Sequence, residues 1–169
     1  MKMGYSSENW KNNLTKNIHI DKIEAESERG EGLLITRETD YALRILRALS
    51  GGELLTAKMI TQREAVPQQF AYKILKKLEG AGLIRITRGA EGGCRLAADL
   101  RQVTLYDLME AVGEDTLLIS CMMPSYQCTR PQENPRCATH YRLCDIQKAM
   151  DRELQSHTIH WLLFGSEQD

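Results

Sequence analysis

Aromatic side chains are scarce in this chain: Phe, Trp and Tyr make up 6% of 169 residues. A core must therefore rest on Leu, Ile, Val, Ala and Met. Long apolar runs are missing too. None approaches the ~18 residues a membrane span needs, and the start Met1-Lys2-Met3-Gly4-Tyr5 leads into a polar stretch. Neither an integral membrane protein nor a secreted precursor is expected, and the chain reads as cytoplasmic. The motifs of enzymes are also absent. There is no phosphate-binding loop, no nucleotide fingerprint and no pair of acids on a common face, so the chain does not read as an enzyme. Proline is rare, and three of the four (Pro124, Pro131, Pro135) fall in one stretch.

Neither sign of charge dominates: 22 basic residues stand against 23 acidic, a net charge of -1. The distribution is uneven, however. Residues 33–112 hold 12 basic and 9 acidic residues, whereas 113–169 hold 5 and 8. A basic middle with acidic flanks suits a module that meets phosphates with one face. Five cysteines are present, and four of them (Cys121, Cys128, Cys137, Cys144) lie within one stretch. Without a secretory signal, a thiol cluster points to metal or redox chemistry rather than to disulfides.

The chain divides into four parts. Residues 1–32 lack apolar periodicity and read as a polar, disordered N-terminal extension. Residues 33–112 carry strong helical patterning. Thr36 can cap a helix whose inward stripe is Ala42, Ile45, Leu46 and Leu49, and Ser50-Gly51-Gly52 ends it. Thr56 caps a short second helix to about Glu64. After the turn Ala65-Val66, Pro67 opens a third helix with the stripe Ala71, Ile74, Leu75 and Leu78. Leu83 to Thr87 and Cys94 to Ala97 read as a hairpin with the Gly-rich tip Arg88 to Gly93. Thr104 caps a fourth helix. Residues 113–136 form an irregular, proline-broken loop, and 137–169 a dimerisation helix and tail. That helix is expected to run from Cys137 toward Phe164 with the stripe Leu143, Ile146, Met150, Leu154 and Trp161, interrupted at Thr158.

Two helices, a tight turn, a third helix and a hairpin spell a winged helix–turn–helix, mainly α with a small β-wing. In such a module the third helix enters the major groove, and its N-terminal outward residues meet base edges. Here these are Gln68, Gln69, Tyr72 and Lys73, with Lys76 continuing the face. Glutamine pairs at two points with adenine, while Tyr and Lys suit phosphates or bases. Arg88 is the cation for the minor groove. For Lys76 and Lys77 a plain solvated face accounts equally well, and winged helices also serve as protein-docking modules.

The run Ile35 to Leu46, the segment Lys73-Ile74-Leu75-Lys76-Lys77-Leu78, Ala81-Gly82-Leu83-Ile84 and the wing Arg88-Gly89-x-x-Gly92-Gly93-x-x-Leu96 carry a closer likeness. Over roughly 34–164 the chain resembles the Rrf-two family of bacterial winged-helix transcription regulators, with its IscR, NsrR and RirA branches. The resemblance implies a homodimer joined by the C-terminal helix and a palindromic double-stranded DNA operator. Two departures stand out. The first 32 residues are extra, and Cys94 replaces the aromatic residue usual after Gly93; its size and polarity suit a packed core thiol.

The pattern Cys121-x6-Cys128-x8-Cys137-x2-His140-x3-Cys144 is the second signal. Thiolates on an irregular loop can converge on a soft metal or an iron–sulfur cluster. The resemblance matches Cys121, Cys128 and Cys137 to the family's three cluster cysteines. It offers as fourth ligand His140, or Asp40 as the aspartate that some members supply from the partner subunit; Cys144, an extra thiol without a family role, ranks between the two. Cluster type, 2Fe–2S or 4Fe–4S, stays open, and zinc suits a Cys3His set equally well. The expected function is a DNA-binding regulator whose operator affinity responds to an iron–sulfur cluster, through iron, nitric oxide or redox state. The alternatives are a cluster-free or zinc-stabilised regulator sensing thiols or a small molecule, an iron–sulfur electron carrier or enzyme, and a protein-only adaptor.

Overall fold

The computed structural model describes residues 35–89, 91–123, 125–128 and 137–165. The extension 1–32 and the loop residues Pro124, Pro131 and Pro135 lie outside them.

Three helices build the core because each presents one apolar stripe. Helix α1 spans Arg37–Leu49, α2 Ala57–Glu64 and α3 Gln68–Gly80. The stripes of α1 (Ala42, Ile45, Leu46, Leu49) and α3 (Ala71, Ile74, Leu75, Leu78) are wholly buried, as their spacing predicts. Thr36 and Thr56 cap their helices by accepting from Glu38 N and Met59 N; such caps contribute about 1 kcal/mol each. Pro67 stands one residue earlier than the spacing suggests, at the cap of α3, where its carbonyl accepts from Phe70 and Ala71. Ala65 makes the turn between α2 and α3 at φ 52°. This left-handed conformation is costly for a residue with a Cβ. Beside it, Glu64 is buried and paired with Arg47 of α1, which ties the short helix down.

Strands β1 (Ile84–Thr87) and β2 (Gly93–Leu96) pair antiparallel, with Ile84 opposite Leu96 and Ile86 opposite Cys94. These four residues face the core. Cys94 is buried there, and burial pushes its thiol above the usual range, with Glu79 adding to the shift. Leu55 extends the hairpin by exchanging both backbone hydrogen bonds with Cys94. At the tip a Cβ on Gly92 would lie 2.4 Å from the Thr87 carbonyl oxygen, so only glycine fits.

Helix α4 (Leu105–Val112) begins with a reciprocal cap between Thr104 and Asp107 and buries Leu105, Leu108, Met109 and Val112. A 3-10 turn, Ser120–Met122, interrupts the loop that follows. The C-terminal region differs from the single helix expected to run to Phe164. Helix α5 spans Ala138–Ser156, and α6 spans Ile159–Phe164. Thr158 caps α6, accepting from Trp161 N at 3.1 Å. The extended link at 157–159 pairs with the residues before α4: Leu105 N donates to the His157 carbonyl, and Ile159 N to that of Val103. Ile159 is thereby fully buried in the winged-helix core. Trp161 is exposed and stacks on His157, with ring centroids 4.3 Å apart.

Candidate DNA interface and cysteine centre

Residues Gln68, Gln69, Tyr72, Lys73 and Lys76 all lie exposed on α3. Since the helix buries the opposite stripe, their outward placement follows from the 3.6-residue period. Gln68 Nε2 lies 3.4 Å from the Tyr72 hydroxyl and donates to it, so these two side chains are mutually oriented. Arg88 is exposed at the end of β1. The two lysines near the middle of α3 behave differently from a plain solvated face. Lys73 and Lys77 both pair with Glu38 in the first turn of α1. Lys77, half-buried, also donates to the Val112 carbonyl at the end of α4. Burial would raise the Glu38 carboxyl, but the hydrogen bonds and charges of Lys73 and Lys77 outweigh it and hold the group below its ordinary range.

Arg85 and Arg95 are direct cross-strand neighbours on the exposed face of the hairpin. Like charges in that position repel and destabilise a hairpin. The signal was available in sequence as basic residues alternating with Ile84 and Leu96, but the register that sets them opposite was not.

The cysteine segment gathers around α5. His140 sits on its first turn between two thiols: Cys121 Sγ is 3.4 Å from Nδ1 and Cys144 Sγ 3.4 Å from Nε2. Cys137 is the N-cap, and its sulfur accepts from His140 N at 3.5 Å. Cys121, Cys137, His140 and Cys144 therefore share one neighbourhood, whereas Cys128 is exposed on the loop. Among the described residues, no three His, Cys, Asp or Glu side chains stand together in a metal-holding arrangement. Asp40 pairs with Arg44 one turn along α1, at 2.9 Å.

Two polar residues that the sequence did not single out join this segment to the helices. Gln147, buried on α5, accepts from Leu118 N at 2.8 Å and donates to the Thr116 carbonyl at 2.9 Å. It lies one turn beyond Cys144 and fixes the backbone leading into Cys121. Glu114, the second residue after α4, accepts from the Thr36 hydroxyl and from Thr39 N at 3.3 Å, reinforcing the start of α1. Gln147→Leu should remove both backbone partners and cost about 1–3 kcal/mol. Faster amide exchange at Leu118 would register the loss, while parental exchange there would show that other contacts hold the segment.

A buried three-helix core, a tight turn before an outward polar helix face and an antiparallel wing define a winged-helix DNA-binding module. The chain belongs to the Rrf2 family, described as an iron-dependent transcriptional regulator, whose model matches residues 35–164. It is 33% identical over 89 residues to the protein aau3 of Rhizobium meliloti, covering 52% of this chain and 58% of that one. The chain thus spans little more than half of that relative's length. The solved structure of CymR, the global cysteine regulator of B. subtilis, superposes with a TM-score of 0.61 at 22% identity, covering 80% of this chain and all of that one. IscR of T. potens gives 0.57 at 22% identity, covering 78% and 87%. At these identities the structural likeness shows the fold. The family and its structural relatives are transcription regulators and not enzymes. Among the described residues no helix is long and apolar enough to cross a membrane.

Proposed function

We propose that this protein is a dimeric cytoplasmic regulator whose affinity for a palindromic operator responds to an iron–sulfur cluster held by Cys121, Cys128 and Cys137. The observation that carries the reading is that two of these thiols lie against His140 at the start of α5, Cys121 beside its ring and Cys137 at its backbone N, with Cys144 on the ring's other nitrogen. Soft thiols with one imidazole suit such a cluster by donor chemistry. His140 ranks first as fourth ligand because it already stands among the thiols. Cys144 follows, and Asp40, paired with Arg44 in this conformation, comes third. When bound, a cluster supplies a centre that oxygen or nitric oxide can degrade.

The chain's own residues provide the coupling. Gln147 ties the segment 116–118 to α5, Glu114 ties its beginning to α1, and Lys77 ties the end of α4 to α3. A change in how the thiols are held can thus reach the face carrying Gln68, Gln69, Tyr72, Lys73 and Lys76 through direct contacts. At the DNA, Gln69 reads a base, and Arg88 enters the minor groove beside it.

Arg88→Ala is expected to weaken operator binding strongly. Gln69→Ala should instead change preference among operator bases, costing on the order of 1–3 kcal/mol at the cognate site. Anisotropy titrations across a salt series check both, and parental behaviour in both variants would overturn the docking. A second reading, a regulator sensing thiols without a cluster, is favoured by one observation: Cys128 stands exposed as a free thiol. Colourless anaerobic protein whose DNA affinity follows the thiol state of Cys128 would support it.

A further inference from the structure

The ion triad of Glu38, Lys73 and Lys77 joins the first turn of α1 to the outward face of the recognition helix, and the base-reading arrangement described above uses Lys73 but neither Glu38 nor Lys77. Its members differ in setting. The Glu38 side chain is only 23% exposed and that of Lys77 29%, whereas that of Lys73 is 58% exposed. Lys77 is held from two sides, by Glu38 and by the Val112 carbonyl. Lys73 has the carboxylate as its described partner and lies one turn beyond Gln69.

This asymmetry gives the three groups distinct roles. A carboxylate held below its ordinary pKa stays ionised, so it competes with DNA phosphate for Lys73 at every physiological pH. If Lys73 leaves for a phosphate, Lys77 remains to neutralise Glu38. The exchange therefore strands no half-buried charge. Exposed ion pairs are weak and close in strength to a single phosphate contact. Small differences in fit can then decide which anion holds the lysine.

We propose that Glu38 is a specificity-determining residue for DNA binding. It retains Lys73 when the helix lies on unrelated sequence and yields it only where the base contacts bring a phosphate into register. The inference rests on the DNA-binding reading but not on any cluster. Phosphate-driven affinity is independent of sequence, so withholding one lysine lowers background binding more than cognate binding.

The test uses the full-length protein, a duplex of random sequence, and the duplex that the parent protein enriches from a random pool. Glu38→Gln keeps the side-chain shape and removes the charge. It should raise affinity for the random duplex roughly fivefold and steepen the dependence of log affinity on log salt by about 0.9, one added phosphate contact. Affinity for the enriched duplex should change much less. Lys73→Met should show the converse pattern, weakening the enriched duplex and sparing the random one. In the Glu38→Gln, Lys73→Met double variant the gain on random DNA should vanish. Unchanged random-duplex affinity and slope in Glu38→Gln would overturn the proposal, and so would a gain that survives in the double variant. A parent protein that enriches no duplex contradicts the DNA-binding reading itself and this inference with it.

Discussion

Serine at Cys121, Cys128 or Cys137 should each leave anaerobically prepared protein without colour and without iron. The expectation comes from donor chemistry. A serine hydroxyl is a hard, weakly acidic ligand, whereas a cluster is held by thiolates. Nothing in the packing needs sulfur at these positions: Cys121 and Cys137 are half-buried and Cys128 is exposed, so none fills the core. Cys94 is the internal control. It is packed between the wing and the helices, and its raised thiol pKa disfavours the thiolate that a metal requires. Serine there should preserve the colour. Serine at Cys144 separates the candidates for the fourth position: retained colour favours His140 or Asp40, and loss favours Cys144. Colour and iron in all three of the first variants would remove the cluster from this segment.

Replacing Ile146 and Met150 together with Glu should give monomers and abolish operator binding. Ile146 is 52% exposed although it lies on the apolar side of α5, and Met150 is half-buried one turn further on. The same region exposes Leu117, Leu118, Ile119, Met123 and Tyr141. Apolar surface of this extent around one helix is unusual for a monomer and suits an interface. Two carboxylates there would be desolvated without partners. A palindromic operator needs two recognition helices at fixed spacing, so monomers lose most of the binding. Sedimentation showing an unchanged dimer would place the interface elsewhere.

The elements were legible in the sequence where burial alone decides them. The stripes of α1, α3 and α4 follow from apolar spacing, and the caps Thr36, Thr56 and Thr104 from residue type, because both signals are local. The break between α5 and α6 was visible only as an interruption at Thr158. Its cause is the pairing of 157–159 with the chain before α4, a contact between distant segments that no local pattern carries. The exposed face of α3 was equally readable, but the engagement of Lys73 and Lys77 was not. Only the packing of α1 on α3 shows that Glu38 faces the lysines. Gln147 and Glu114 were missed for the same reason. A lone polar residue on a helix or after a glycine is indistinguishable from a solvated one until the distant backbone it binds is known. For the cysteines, their clustering suggested a metal or cluster centre and the family resemblance implied the set. The fold adds that His140 stands between Cys121 and Cys144, while residues 129–136, which join Cys128 to Cys137, lie outside the described residues.

The most direct test of the account is a single anaerobic preparation carried through cluster loss. Its absorption, iron and sulfide content and affinity for the enriched duplex are recorded before and after exposure to oxygen or nitric oxide. The account predicts brown protein containing iron and sulfide, and a change in DNA affinity of roughly 5–150-fold as the colour fades. Affinity that stays constant while the colour disappears would contradict it, as would colourless protein holding stoichiometric zinc.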